Sequence, residues 1–116
     1  MKRRFRLTRS TDFKRVRRLG KSYAHPLVVL YAIQSELPGV RVGVHASTGV
    51  GNAVRRNRAK RLLREAMRIL LADTLAGNDL LLIARHALPD SNLQQTHAAL
   101  SILLKRAGLI LPPHDV

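Results

Sequence analysis

Hydrophobic and polar positions follow distinct local patterns along this 116-residue chain, and each pattern predicts one element. A β-branched and aromatic run at 26–33 and an alternating run at 40–46 predict two strands, with turn residues at 35–39 between them. Because a short turn joins them, we expect these two strands to form an antiparallel pair. The run LLLIA at 80–84 is apolar throughout and therefore predicts an interior strand.

The longest predicted helix runs from Ala53 to about Leu71, after the loop TGVGN at 48–52, whose Asn52 is a suitable N-cap. At the helical period, its apolar residues gather in a sector of about 120°. That predicted core face comprises Ala59, Leu62, Leu63, Ala66, Ile69 and Leu70. The opposite face carries Asn57, Arg58, Lys60, Arg61, Arg64 and Arg68. The helix therefore has one face for the core and one cationic face.

Two shorter helices flank these elements. The first ends near Leu19 with Gly20 as its stop, and the residues that can cap its start are Thr8, Ser10 and Thr11. The last is capped by Ser91 or Asn92, after a turn at 89–92, and runs through Arg106 to a stop at Gly108. Its predicted core residues are Leu93, Ala99 or Leu100, Leu103 and Leu104.

The element order is αβββαβα, in which a possible further short strand follows the two strands above and is not assigned to particular residues. This order predicts an α+β fold, with one sheet and helices packed on it. No internal repeat or long linker divides residues 1–116, so we expect a single domain, with a basic N-terminal segment at 1–21 and a loop and helix at 47–71 as its contact elements.

The charge of the chain is concentrated in two stretches. The formal net charge is +14, of which residues 1–21 carry +9 and residues 55–68 carry +6, so the remainder is close to neutral. A generally solvated surface mixes both signs, so this segregation predicts two elements that contact a polyanion. The candidate residues of the helix are Arg55, Arg56, Asn57, Arg58, Lys60, Arg61, Arg64 and Arg68. Those of the N-terminal segment are Arg3, Arg4, Arg6, Arg9 and Lys14.

Three residues keep two interpretations each. Asn57 is either a surface amide or a contact to a nucleotide or a metal-bound water. Phe13 and Tyr31 are core residues by default, but aromatic rings among cations also stack on the bases of single-stranded nucleic acid.

Side-chain catalysis has no support in the sequence. The chain has no cysteine, its five histidines have no metal-ligand spacing, its carboxylates are dispersed, and the Gly-bearing loop lacks the GK[ST] ending of a nucleotide-binding loop. No secretory signal or membrane-length apolar run is present, so we expect a cytoplasmic protein.

The segment GNAVRRNRAKRLLR resembles the helix motif G-N-A-V-x-R-N-R-x-K-R-x-x-R of the bacterial ribonuclease P protein family. The matching residues are Gly51, Asn52, Ala53, Val54, Arg56, Asn57, Arg58, Lys60, Arg61 and Arg64. The similarity extends in order over nearly the whole chain, through Arg6, Leu7, Asp12, Phe13, Val16, Gly20, LY at 30–31, RVG at 41–43 and LLLIAR at 80–85.

The resemblance implies a subunit that binds the catalytic ribonuclease P RNA and the 5′ leader of precursor tRNA, with one protein per RNA. It implies that the RNA carries the chemistry with Mg²⁺ and that no organic cofactor is needed. It also implies a two-layer α/β sandwich, with a mostly antiparallel sheet and a left-handed βαβ crossover, as in a ribosomal-protein-like fold. The basic helix faces the RNA, and a cleft between the first helix and the sheet, with Phe13 and Tyr31, receives the leader.

Two departures from the family pattern and two competing functions remain. Arg17 stands where many members have a second cleft aromatic, so we expect an ionic leader contact there. Thr48 and Gly49 replace two lysines that often precede the motif. The competing functions are a structural rRNA-binding protein of ribosomal type, which the charge and size also allow, and a protein-only nuclease, which no residue spacing favours.

Overall fold

The computed structural model of this chain describes residues 6–110, which form one α+β domain with the predicted order αβββαβα. Short 3₁₀ turns lie at Thr48–Val50, Leu71–Asp73 and Leu88–Asp90. The main elements are α1 (Ser10–Leu19), β1 (Lys21–Ala24), β2 (Val28–Gln34), β3 (Val40–His45), α2 (Ala53–Leu70), β4 (Asn78–Ala84) and α3 (Leu93–Arg106). The possible short strand that the sequence placed after the strands at 26–33 and 40–46 is absent from the described residues there, where a 3₁₀ turn lies; the additional strand is β1, which precedes β2.

The four strands form one sheet in the order β1-β2-β4-β3. The β1–β2 and β2–β4 pairs are antiparallel and the β3–β4 pair is parallel, so the sheet is mostly antiparallel as expected. The predicted antiparallel pairing of β2 with β3 is wrong, because β4 lies between them. The physical reason is that β4 is apolar and buried along nearly its whole length, and a central position gives it a partner strand on both edges.

Helices α2 and α3 pack together on one face of the sheet, and α2 provides the crossover between the parallel strands β3 and β4. The predicted core residues of α2 are buried except Ile69, whose side chain is 46% exposed, and Met67 is buried in addition. Leu93 of α3 is also exposed, contrary to the prediction. On α2 the buried face includes Met67 instead of Ile69, because this helix contacts α3 as well as the sheet. Leu93 is the first residue of α3 and lies at its exposed end.

The opposite face of the sheet is only partly covered, by α1. Val16 of α1 is fully buried against Leu7 and Leu81. These three residues form a small apolar cluster, and Phe13, Tyr31 and two isoleucines pack around it. Because α1 is short, part of this face remains accessible beside it. No helix of residues 6–110 has the length and apolarity that crossing a membrane requires.

The ends of the helices show which local predictions held. Asn52 caps α2 and Asn92 caps α3, the latter with a reciprocal capping box with Gln95. The N-cap of α1 is Arg9, without a side-chain capping bond, so the predicted caps of that helix are wrong. Leu7 already pairs with Val42, and this pairing rather than a cap fixes the start of α1.

Replacing Gly20 with alanine is expected to lower the free energy of unfolding by about 1–3 kcal/mol. A Cβ at this position would lie 2.5 Å from the carbonyl oxygen of Val16 and 2.9 Å from that of Ala32, and neither backbone atom can move independently. Urea unfolding measures the difference. Gly49→Ala is the matched control, because the nearest atom to its Cβ is the Ser47 hydroxyl oxygen at 3.5 Å. Equal stabilities for the two variants would contradict the steric argument.

Candidate nucleic-acid interface

The cationic face of α2 is accessible along its length. Asn57, Arg61 and Arg68 are exposed, and Lys60 and Arg64 are partly buried. The helix begins at a capped end, where the Asn52 side chain accepts the backbone N–H of Arg55 at 3.0 Å. The remaining N–H groups of the first turn and the helix dipole add positive potential at this end. The face predicted to contact a polyanion therefore exists as one surface.

A second basic element meets this surface. Arg6 lies beside α2, because the chain at 6–7 pairs with β3 through a bridge to Val42 and a 2.8 Å bond from the Leu7 N–H to the Val42 carbonyl. A concave surface of about 360 Å³ is lined there by Arg6, Asn57, Lys60, Arg61, Arg64 and Glu65. Burial and the nearby positive charge of Arg6 lower the pKa of Arg64. Two cations held this close favour an anion between them.

A groove of about 280 Å³ opens between α1 and the accessible part of the sheet. Its lining residues are Ser10, Phe13, Lys14, Arg17, His45, Leu81 and Ile83. Gly43 makes room for the Phe13 ring, since a Cβ there would lie 2.7 Å from the ring carbon Cε1. The structure thus brings Phe13, Arg17 and Lys14 together, as three of the predicted contact residues. Tyr31 lies on the same sheet face, opposite Leu81 in the β2–β4 register, and is not among the residues that line the groove.

A hollow of about 200 Å³ lies next to both the groove and the cationic surface of α2. It shares Phe13 with the groove and both Arg6 and Arg64 with the surface of α2, and Val42 and Val44 form part of its floor. The three concave regions therefore adjoin one another through shared lining residues, and we call them together the basic track. It starts on an apolar and aromatic surface and ends among arginines.

The other predicted basic residues have different surroundings. Arg9 is exposed, and Arg3 and Arg4 lie outside the described residues. Arg56 donates to the Gly51 carbonyl at 2.9 Å, and Arg68 forms an exposed ion pair with Glu65. Arg55 and Arg58 donate to groups of the segment between β4 and α3. These bonds hold the guanidinium groups in fixed positions beside the basic track.

A buried ion-pair network, which sequence reasoning missed, attaches α1 to the sheet. The Asp79 carboxylate is 1% exposed and accepts from Arg15 at 2.6 Å and from Arg41 at 2.8 and 3.0 Å. Burial alone would raise the pKa of Asp79, but the hydrogen bonds from Arg41 and Arg15 outweigh burial and lower it. The only sequence signal was an acid at the start of an apolar strand. His45, a groove residue, was likewise assigned no role in the sequence.

The fold and the basic track together place this chain in the class of small basic α+β proteins that bind nucleic acid. The family model described as Ribonuclease P matches residues 1–108. The chain belongs to the ribonuclease P protein family. Among its relatives, the ribonuclease P protein component of Clostridium novyi (strain NT) is 38% identical over 111 residues, covering 94% of this chain and 98% of that protein. That of Clostridium botulinum (strain Loch Maree / Type A3) is 40% identical over 105 residues, covering 90% and 95%.

Solved structures of relatives share this fold. The RNase P protein of Staphylococcus aureus superimposes with a TM-score of 0.82 at 32% identity, over 91% of this chain and 97% of that one. The protein from Thermotoga maritima gives 0.78 at 28% identity, over 87% and 96%. The resemblance drawn from the motif at 51–64 is confirmed.

The family settles the general function. Its members are protein components of an endoribonuclease that processes tRNA, so this chain is an RNA-binding subunit of bacterial type in that process. The alternative of a structural rRNA-binding protein is not favoured, because the relatives and the structural neighbours are ribonuclease P proteins.

Proposed function

We propose that the basic track carries two parts of one RNA-processing complex. The cationic face of α2 binds the catalytic ribonuclease P RNA, and the groove beside α1 binds the single-stranded 5′ leader of precursor tRNA. The observation that carries this proposal is that the adjoining regions of the track share Phe13 on one side and Arg6 and Arg64 on the other. A leader held in the groove thereby lies next to the RNA on α2, and its removal gives the mature tRNA 5′ end.

The groove has the chemistry for a single strand. The partly buried Phe13 ring offers a stacking surface, which is worth roughly 1–3 kcal/mol per base in proteins that bind single strands. Lys14 and Arg17 lie beside it for the phosphates, so the contact at Arg17 is ionic, as its departure from the family pattern suggests. Tyr31 supports this surface from β2 through its contact with the same apolar cluster.

The α2 surface has the chemistry for a folded RNA backbone. Arginine donates paired hydrogen bonds to phosphate oxygens and lysine acts as a compact positive charge, and Arg61 and Lys60 supply these along one helix face. Arg56 and Arg58 add positive charge beside them, with part of each guanidinium group also bonded to backbone carbonyls. Arg6 and Arg64 hold one phosphate between them, which relieves the repulsion of the two cations. Asn57 lies within the same surface and contacts the RNA or a water bound to an RNA-held metal ion.

The donor groups of residues 6–110 do not fit a magnesium ion held by the protein. No three of their His, Asp and Glu side chains lie together as a metal site. Three carboxylates are already paired: Asp79 with Arg15 and Arg41, Asp90 with Arg55, and Glu65 with Arg68. We therefore assign the Mg²⁺ ions and the cleavage chemistry to the RNA subunit, in a cytoplasmic complex with one protein per RNA.

The experiment that tests the proposal is cleavage of a precursor tRNA at low magnesium by the protein, by a bacterial ribonuclease P RNA, and by both together. We expect efficient cleavage only from the mixture, because the protein adds binding energy and positive charge to a reaction of the RNA. Shortening the leader to one nucleotide should remove much of the stimulation. Cleavage by the protein alone would contradict the assignment of the chemistry, and stimulation independent of the leader would contradict the role of the groove.

A further inference from the structure

Arg55 in the first turn of α2 attaches the segment between β4 and α3 to this helix. The Arg55 guanidinium forms a paired contact with both carboxylate oxygens of Asp90, Nη1 to Oδ1 at 2.8 Å and Nη2 to Oδ2 at 3.1 Å. Nη2 also donates to the His86 carbonyl at 3.0 Å, and Nε donates to the Val50 carbonyl at 3.0 Å. Arg55 therefore joins the loop before α2 to the segment before α3.

Neighbouring contacts support the same junction. Arg58 donates to the carbonyls of Pro89 at 2.7 Å and Ser91 at 3.1 Å, and the His86 ring Nδ1 lies 3.1 Å from the Gly49 carbonyl. Pro89 and Ser91 are buried, so this segment is packed against the rest of the domain.

The backbone conformation of Gly51 leaves room for the Arg55 side chain. Its φ of +138° is open to glycine, and a Cβ there would lie 2.7 Å from the Arg55 Cδ. The loop before α2 thus has a conformation in which the Arg55 side chain crosses directly over it. The charge of Arg55 is paired with Asp90, and each of its three nitrogens already donates a hydrogen bond within the protein.

We propose that Arg55 and Asp90 form a positioning pair for the RNA-binding end of α2. The pair fixes the loop and the first turn so that Arg56 and Lys60 present their charges to the RNA, while Arg55 itself makes no phosphate contact. This inference rests on the proposed function, because it concerns how the same surface is held. Arg55 occupies the one open position, x, in the motif segment G-N-A-V-x-R-N-R.

The positioning role and simple electrostatics predict opposite changes in RNA affinity when Asp90 is replaced. Asp90 is a carboxylate with a 64% exposed side chain beside a surface that binds a polyanion. By charge alone, its removal strengthens RNA binding, since one repulsive charge is lost. A positioning role predicts the opposite, because the loss of Asp90 releases Arg55 and loosens the end of α2.

The experiment compares the full chain with Asp90→Asn and with Asp73→Asn as the matched control, using a bacterial ribonuclease P RNA transcribed in vitro as the probe. Asp73 is an exposed acid in the turn after α2, outside the described ion pairs. We expect Asp90→Asn to bind about threefold to tenfold more weakly, with an unchanged dependence on salt. Asp73→Asn should bind as the original chain does or slightly more tightly. Thermal unfolding without RNA checks that both variants are folded.

A charge exchange tests whether the two residues act as a pair. Arg55→Asp alone should weaken binding, and the double variant Arg55→Asp with Asp90→Arg should recover most of the loss, because the pair forms again in reverse. Equal or tighter RNA binding by Asp90→Asn, or a failed recovery, would overturn the positioning pair and leave the proposed function intact. Absence of RNA binding by the original chain would instead overturn the proposed function.

Discussion

Replacing Asp79 with alanine is expected to lower the free energy of unfolding by about 2–4 kcal/mol at neutral pH. The carboxylate is 1% exposed and joins Arg15 of α1 to Arg41 of β3. Its removal leaves Arg41 without a carboxylate partner and Arg15 with only its 3.5 Å contact to Asp12, and the partial exposure of both arginines makes the loss smaller than for fully buried charges. Urea unfolding at pH 7 measures the difference.

The dependence on pH gives a second test of the same network. The pKa of Asp79 in the folded protein lies below its usual value of 3.8. Stability from this group is therefore fully present above pH 4 and is lost as the pH falls through the lower, folded-state pKa. The stability difference between the original chain and Asp79→Asn should accordingly be largest at neutral pH and shrink in acid.

Asp12→Asn is the matched control, because its 3.5 Å contact with Arg15 is long and its side chain is partly exposed. We expect it to change stability by no more than about 0.5 kcal/mol. If the Asp79 variant loses as little unfolding free energy as the Asp12 variant, α1 is attached to the sheet by the apolar contacts of Val16 and its neighbours alone. Helix α1 carries Phe13 and Arg17. If the Asp79 variant loses more stability than the Asp12 variant, it should therefore also bind the leader more weakly, with a smaller effect on binding of the RNA subunit.

The largest effect on RNA binding is expected for Arg64→Gln, which should weaken binding to the ribonuclease P RNA by about 1.5–3 kcal/mol, or roughly 10- to 150-fold. Arg64 lies where the cationic face of α2 meets Arg6, and the charge of Arg6 contributes to its lowered pKa. A phosphate held between the two arginines has charge-assisted hydrogen bonds from both. The slope of log K against log salt should fall by about 0.7–0.9, which corresponds to one phosphate contact.

A double-mutant cycle with Arg6→Gln tests whether the two arginines share one phosphate. If they do, the double variant loses little more affinity than the stronger single variant, and its salt slope falls by one contact only. Additive losses with a fall of two contacts would show two separate phosphates. Lys105→Gln in α3 is the matched control, since this exposed lysine lies outside both basic stretches and should leave the slope unchanged. The free protein should remain as stable without Arg64, because two neighbouring cations repel each other.

The sequence determined the features that depend on neighbouring residues along the chain. The helical period gave the two faces of α2, and the amide side chains of Asn52 and Asn92 gave the starts of α2 and α3, because a cap contacts the backbone only three residues away. The apolar run at 80–84 gave a buried strand. The motif at 51–64 gave the family.

Only the tertiary structure decided which distant residues meet. The central place of β4 depends on pairing energies across the whole sheet, and no local pattern distinguishes it from a β2–β3 hairpin. The network of Asp79 joins α1, β3 and β4, and the contacts of Arg55 join α2 to a segment 35 residues further on, at Asp90. In the sequence Arg55 and Arg64 are equivalent cations. In the fold one is paired with a carboxylate and the other lies beside a second arginine, because long-range packing sets the partners of a charge and therefore what it can bind.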